Sequence, residues 1–200
     1  MESNIPNSTS YYSDTPQKSL MDRIGGYLVE FFQTLVVFGA IFAGIYLFVA
    51  QFHKVQGNSM VPTFHTGDYL ITEKISYRFR DPKLGEIVVL KNPRDESQDF
   101  IKRVIAVPGD TIRISGNTVY LNDQPLQEEY LPPGTPTPAG AFLTEGAVVK
   151  AASNQYFVIG DNREHSSDSR EWGAVTKKEI IGKAFFRYFP IPVIGILTDK

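Results

Sequence analysis

A mainly β domain behind a single N-terminal membrane-spanning helix is the fold class this sequence predicts. Three observations carry it. The stretch Phe31–Phe52 holds no charged residue. From Lys54 onward the chain divides into short segments rich in β-branched and aromatic residues, bounded by Gly, Pro, Asn and Asp. Beyond that point only Thr176–Ile181 hints at a helical turn, and no internal repeat is visible.

Residues 1–26 open the chain as a flexible tail, polar and rich in Ser, Asn, Thr and Tyr over its first twenty positions. Residues 27–53 form the anchor. The uncharged stretch alone, as a helix, measures about 33 Å, against a hydrocarbon core of about 30 Å. A cleaved secretory signal fits poorly, because the apolar run is long and follows a tail with acidic residues. Bulky Phe48 also spoils a small-x-small cleavage site at Ala50. Lys18 and Arg23 precede the span and Lys54 follows it. This bias leans towards a cytoplasmic N-terminus, with residues 54–200 outside.

Within 54–200 the expected strands are Asp68–Ile75, Glu86–Leu90, Phe100–Val107, Thr111–Ser115, Thr118–Leu121 and Gln155–Ile159. Gly116-Asn117 joins two of them, and these residue types accept the positive φ of a primed hairpin turn. Leu131–Gly140, with its four prolines and two glycines, reads as a loop. Ala184–Leu197 is apolar again, but Pro190 and Pro192 would break a helix, so a second span is not expected. It reads as a core strand with a packed tail, or as an apolar surface resting on the membrane.

Composition narrows the function. A formal charge of −2 without a basic stripe gives no reason to expect nucleic acid. The absence of cysteine removes thiolate nucleophiles, sortase-like transpeptidation and Cys-based zinc sites. The three histidines, His53, His65 and His165, form no metal-binding pair, and neither metal nor cofactor is expected.

Three clusters remain for chemistry. Gly57-Asn58-Ser59-Met60-Val61-Pro62-Thr63 reads as a turn that could present the Ser59 hydroxyl and its own N–H to a carbonyl. In Phe100–Asp110, strand alternation puts Phe100, Lys102, Val104 and Ala106 on one face and Ile101, Arg103 and Ile105 on the other. Lys102 is then flanked by apolar groups. Burial lowers an ammonium pKa from about 10.4, and a fall of about two to three pH units leaves a usable base. Arg103 cannot serve, because guanidinium keeps its proton. The third cluster, Gly160–Arg170, is dense in hydrogen-bonding groups, with opposite charges at Asp168 and Arg170. Each cluster alone also fits an ordinary loop or a half-exposed strand.

Taken in order, the motifs resemble those of the bacterial type I signal peptidases: Gly-x-Ser-Met-x-Pro-Thr at 57–63, Gly-Asp-Tyr at 67–69, Lys-Arg-Val-Ile-Ala-Val-Pro-Gly-Asp at 102–110, and Gly-Asp-Asn-Arg-x-x-Ser-x-Asp-Ser-Arg at 160–170. The resemblance implies a membrane-bound serine endopeptidase that removes signal peptides from exported preproteins, its β domain at the outer (periplasmic or extracellular) face. It implies Ser59 as nucleophile and Lys102 as general base. Ser166 would orient the lysine, with Asp161, Arg103, Asp168 and Arg170 as braces. Met60 packs beside the nucleophile, and Val55, Phe64 and Ile101 sit where the family lines shallow apolar pockets. Gly57 stands where some relatives use a serine hydroxyl at the oxyanion, which leaves the Ser59 N–H as the clearest donor. The rivals are a Ser59–His165 triad completed by Asp161 or Asp168, a self-cleaving Ser/Lys repressor, and an inert membrane-tethered β scaffold.

Overall fold

The computed structural model describes residues 20–198. Residues 1–19, most of the expected tail, lie outside the described residues. The chain divides into two compact units between Ala43 and Gly44.

The first unit holds the helix up to Ala43. α1 runs Leu20–Phe48, and its segment Arg23–Phe48 has a mean hydropathy of 2.0. At 1.5 Å per residue that segment is about 39 Å long, enough to cross a bilayer by length and composition. The helix starts earlier and stops sooner than 27–53. Apolar residues continue past Phe48, but Ala50–Lys54 is strand β1, paired with β2 (Tyr69–Glu73). Freedom from charge, which continues to Phe52, does not mark where the helix ends.

The second unit is mainly β. After β2 come a helical turn α2 (Ser76–Phe79), β3 (Ile87–Asn92) and the long β4 (Asp95–Ala106). Next are β5 (Thr111–Ser115), β6 (Thr118–Leu121), β7 (Gln124–Pro125), β8 (Val148–Lys150) and β9 (Gln155–Ile159). The chain ends with α3 (Ser169–Trp172), β10 (Val175–Thr176), β11 (Ile180–Phe189), a 3₁₀ turn at Ile191–Val193 and β12 (Gly195–Ile196).

Among the described residues one sheet follows the order β1-β2-β11-β3-β4-β9-β10, with β12 on β11, and a smaller one the order β7-β6-β5-β8. Gly116 and Asn117 have φ of 55° and 60°, the primed turn their chemistry favours. Asn122 and Asp123 repeat it, at 51° and 63°, to fold β7 onto β6. The two sheets meet over a core that includes Ile105, Ile112, Ile114, Phe157 and Ile159.

Two local expectations change. Thr176–Ile181 is no helical turn: the side chain of Glu179 accepts from the Thr176 N–H and hydroxyl, at 2.6 and 2.8 Å, and closes a tight turn between β10 and β11. Ala106 does not stay on the Lys102 face. The β4–β9 register slips between Val104 and Ala106, and Ala106 packs in the same core as Ile105; a bulge adds one residue and breaks alternation. At the C-terminus, β11 is a core strand that buries Ala184, while Phe185, Phe189, Ile191 and Ile196 remain exposed.

Candidate active site

Ser59 sits in the turn after β1, where Gly57 has φ of 90°, a conformation costly for residues with a Cβ. The turn is tied to the loop after β9. The Asn162 N–H donates to the Ser59 carbonyl at 3.0 Å, and Asn162 Nδ2 donates to the Asn58 carbonyl at 3.0 Å. Gly160 makes this approach possible, because a Cβ there would run into Ser166 Oγ and the Ser59 carbonyl oxygen. The Ser59 N–H has no acceptor among the described residues.

Lys102 reaches the same point from β4. Its Nζ lies 2.9 Å from Ser59 Oγ and 3.0 Å from the Ile101 carbonyl oxygen. It also rests over the Phe100 ring, 4.9 Å from the centroid, the same-face neighbour that alternation predicts. Lys102 is 2% exposed. Burial, partly offset by Asp168 and Asp161, pushes its ammonium pKa down to about 8. A useful fraction of the amine is therefore neutral near pH 7 to 8.

The brace residues form two buried ion pairs. Arg103 holds Asp161 with two bonds of 3.0 and 2.8 Å, and Asp161 also accepts from the Thr63 hydroxyl of the serine turn. Asp168 takes Arg170 through both oxygens at 2.8 Å and receives the Gly160 N–H at 3.1 Å. Both carboxylates are thus committed to arginines. His165 is exposed in the groove wall, and among the described residues its ring meets neither Ser59 nor a carboxylate. The Ser59–His165 triad has no support in this geometry.

Ser166 and Phe64 depart from the expected arrangement. Ser166 Oγ is buried without a hydrogen bond among the described residues, so Lys102 is oriented by Ser59 and the Ile101 carbonyl. Phe64 is fully buried beneath Val55 and Met60, beside Leu70 and Ile87, and lies under the groove floor. Val55, Met60 and Ile101 do line the groove, a cavity of about 600 Å³ that also holds Ser59 and Lys102.

Other contributors had no local signal. Arg163 is 2% exposed; it donates to the Gly160 carbonyl at 3.1 Å and to Thr137 Oγ1 at 2.6 Å, and pairs with Glu128. Tyr130 stacks on the Arg103 guanidinium at 3.7 Å. The segment 128–137 therefore backs both the Gly160 loop and the Arg103–Asp161 pair. Its acid, tyrosine and threonine lie far in sequence from their partners, and only the Asn-Arg step of the third motif hinted at Arg163.

A family model described as signal peptidase, peptidase S26, matches residues 28–189. The chain is 40% identical over 205 residues to a probable signal peptidase I-2 of Synechocystis sp., covering 100% of this chain and 87% of that one. Probable signal peptidase I-1 of the same organism is 43% identical over 152 residues, 72% and 73% of the two chains. Signal peptidase I of Leptolyngbya laminosa is 37% identical over 180 residues, 85% and 84%. The match runs from the apolar helix through the serine turn, Lys102 and the Gly160 loop to the end of β11, and the chain belongs to the signal peptidase I (peptidase S26) family.

Proposed function

We propose that this chain is a membrane-anchored endopeptidase that removes signal peptides from exported preproteins, with Ser59 as nucleophile and Lys102 as general base. The observation that carries this reading is the 2.9 Å approach of a buried lysine amine to the serine hydroxyl. Neutral Lys102 takes the Oγ proton as Ser59 attacks the carbonyl of the residue before the cut. The tetrahedral oxyanion is met by the Ser59 N–H, a type of contact worth about 3–4 kcal/mol. Collapse expels the new N-terminal amine, which takes the proton from Lys102, and leaves an ester on Oγ. Lys102, neutral again, takes a proton from water as the water attacks the ester, and returns it to Oγ as the acid leaves and Ser59 is regenerated. Arg103, Asp161, Asp168 and Arg170 fix the turn and the loop without touching the reacting atoms.

The groove at Val55, Met60 and Ile101 is shallow and apolar, which suits small side chains at the first and third residues before the cut. The N-terminus lies in the cytoplasm and the β unit on the outer face, a topology supported by Lys18 before the helix and Arg23 in its first turn. Anchoring raises the effective concentration of a substrate that is itself held in the bilayer.

The test is preprotein processing by the full chain in detergent. Ser59→Ala is expected to reduce cleavage to background, and cleavage retained by that variant refutes the assignment. Topology is tested in cells with single cysteines on the cysteine-free chain. An impermeant maleimide is expected to label Ser153→Cys and spare Ser8→Cys; the reverse pattern overturns the orientation.

A further inference from the structure

Lys102 and Arg103 are neighbours on β4, and the first of them reaches Ser59. The second carries a tie from β4 to the serine turn. Arg103 holds both oxygens of Asp161, and Asp161 accepts from the Thr63 hydroxyl. Within the turn the Val61 N–H donates to the Asn58 carbonyl at 3.2 Å, and the Phe64 N–H to the Met60 carbonyl at 2.8 Å. Residues 58–64 are therefore linked, and a shift of Thr63 passes to Ser59. Asp161 also adjoins Asn162, whose backbone N–H and side-chain amide hold the Ser59 and Asn58 carbonyls. The Arg103–Asp161 pair thus helps to set how far the Ser59 hydroxyl lies from the Lys102 amine.

Arg103 is itself held in two ways. All three of its nitrogens donate in the guanidinium plane: Nε and Nη2 to Asp161, and Nη1 to the Gly85 carbonyl at 2.9 Å. These bonds fix the edges of the group. Its face is left to packing, and the Tyr130 ring lies against it at 3.7 Å. Arg103 is 1% exposed, and a stack of this kind counts for most where water is excluded.

Tyr130 is fixed in turn. Its hydroxyl donates to Glu128 Oε1 at 2.6 Å, and Arg163 Nη2 donates to its oxygen at 3.3 Å. Burial, with Glu128 beside it, raises the phenol pKa well above its ordinary value, so the hydroxyl stays a donor at neutral pH. The side chain also packs against the core that contains Ile105 and Phe157.

We propose that Tyr130 is a positioning residue for the reaction: by stacking on Arg103 it keeps the Thr63–Asp161–Arg103 tie rigid and so holds Ser59 Oγ within reach of Lys102 Nζ. This rests on the peptidase reading above. Tyr130 is not part of the lining of the groove at Val55, Met60 and Ile101. Its loss leaves the peptide-binding surface in place while the nucleophile moves from its base, so binding survives and chemistry slows.

The experiment uses the full chain in detergent and a peptide with alanine at the first and third positions before the cut. Tyr130→Leu removes the ring and keeps an apolar side chain. Tyr130→Phe keeps the ring and removes the hydroxyl. Rates are referred to the folded fraction, read by fluorescence, so that lost fold is not counted as lost chemistry. Tyr130→Leu is expected to lower kcat about 30-fold with KM within about twofold of wild type, and Tyr130→Phe to keep kcat within about threefold. A Tyr130→Leu kcat within about threefold of wild type overturns the positioning role, as does a KM raised as much as kcat is lowered. Tyr130→Phe as slow as Tyr130→Leu overturns it too, because the ring would then not be the contact that matters. If Tyr130→Leu does not fold, Tyr130→Met carries the same expectation, and the Tyr130→Phe result decides as before. All these outcomes leave the peptidase reading standing. Failure of wild type to cleave either the peptide or a preprotein overturns that reading and this role with it.

Discussion

Replacing Lys102 by methionine is expected to abolish cleavage and, near neutral pH, to make the folded chain more resistant to denaturant. In the fold the ammonium titrates near 8, against an ordinary value of 10.5. That difference corresponds to about 3 kcal/mol at about 1.4 kcal/mol per pH unit. The sign follows from which state binds the proton more tightly, and here it is the unfolded one. Below pH 8 both states are protonated and the native state carries the whole cost of a buried charge. Between pH 8 and 10.5 the native lysine loses its proton first, and wild-type stability rises with pH. Above 10.5 the cost is gone. Methionine has similar length and no charge, so it removes the cost at every pH. It also gives up the bonds to Ser59 Oγ and the Ile101 carbonyl oxygen, worth about 1 kcal/mol each. The expected net gain at pH 7 is about 1 kcal/mol. The difference between variant and wild type should fall by about 3 kcal/mol from pH 7 to 11. Urea denaturation of the full chain in detergent, followed by fluorescence at several pH values, measures this. A difference that does not change with pH refutes the claim that Lys102 is held desolvated, and a cleaving Lys102→Met enzyme refutes its role as base.

Two further outcomes follow from the supports of the site. Gly160→Ala forces the loop after β9 away from Ser166 and the Ser59 carbonyl, and is expected to lower kcat/KM about 100-fold through misplacement of the nucleophile; an effect under threefold would show that the approach is not needed. Asp161→Ala leaves the Arg103 charge buried and unpaired, and is expected to cost about 3–5 kcal/mol in urea denaturation; a loss below 1 kcal/mol would contradict a closed Arg103–Asp161 pair.

Much of this site could be read from residues close in sequence. The Gly116-Asn117 hairpin was legible because two adjacent residues fix its turn. Lys102 was legible because alternation over three residues separates it from Arg103. The same rule failed three residues later, where pairing with β9 introduces a bulge that no local pattern announces. The end of the membrane helix was misjudged for a related reason, since Ala50–Lys54 becomes a strand only because β2 is there to pair with it. Glu128 and Tyr130 went unread because the arginines they support lie elsewhere in the chain. The family resemblance puts Phe64 in the groove, whereas its ring is fully buried in the core beside Leu70 and Ile87. Ser166, expected to orient Lys102, keeps its Oγ without a hydrogen bond among the described residues.

Catalysis by Ser59 requires a neutral Lys102, and the pH dependence of kcat/KM for one good peptide substrate tests this most directly. This quantity reports the essential base of the free enzyme. The expected profile rises about tenfold per pH unit at low pH and levels off near pH 8, where the buried ammonium loses its proton. A limb that levels off near 6.5, the ordinary value for histidine, would contradict a lysine base and point to a histidine.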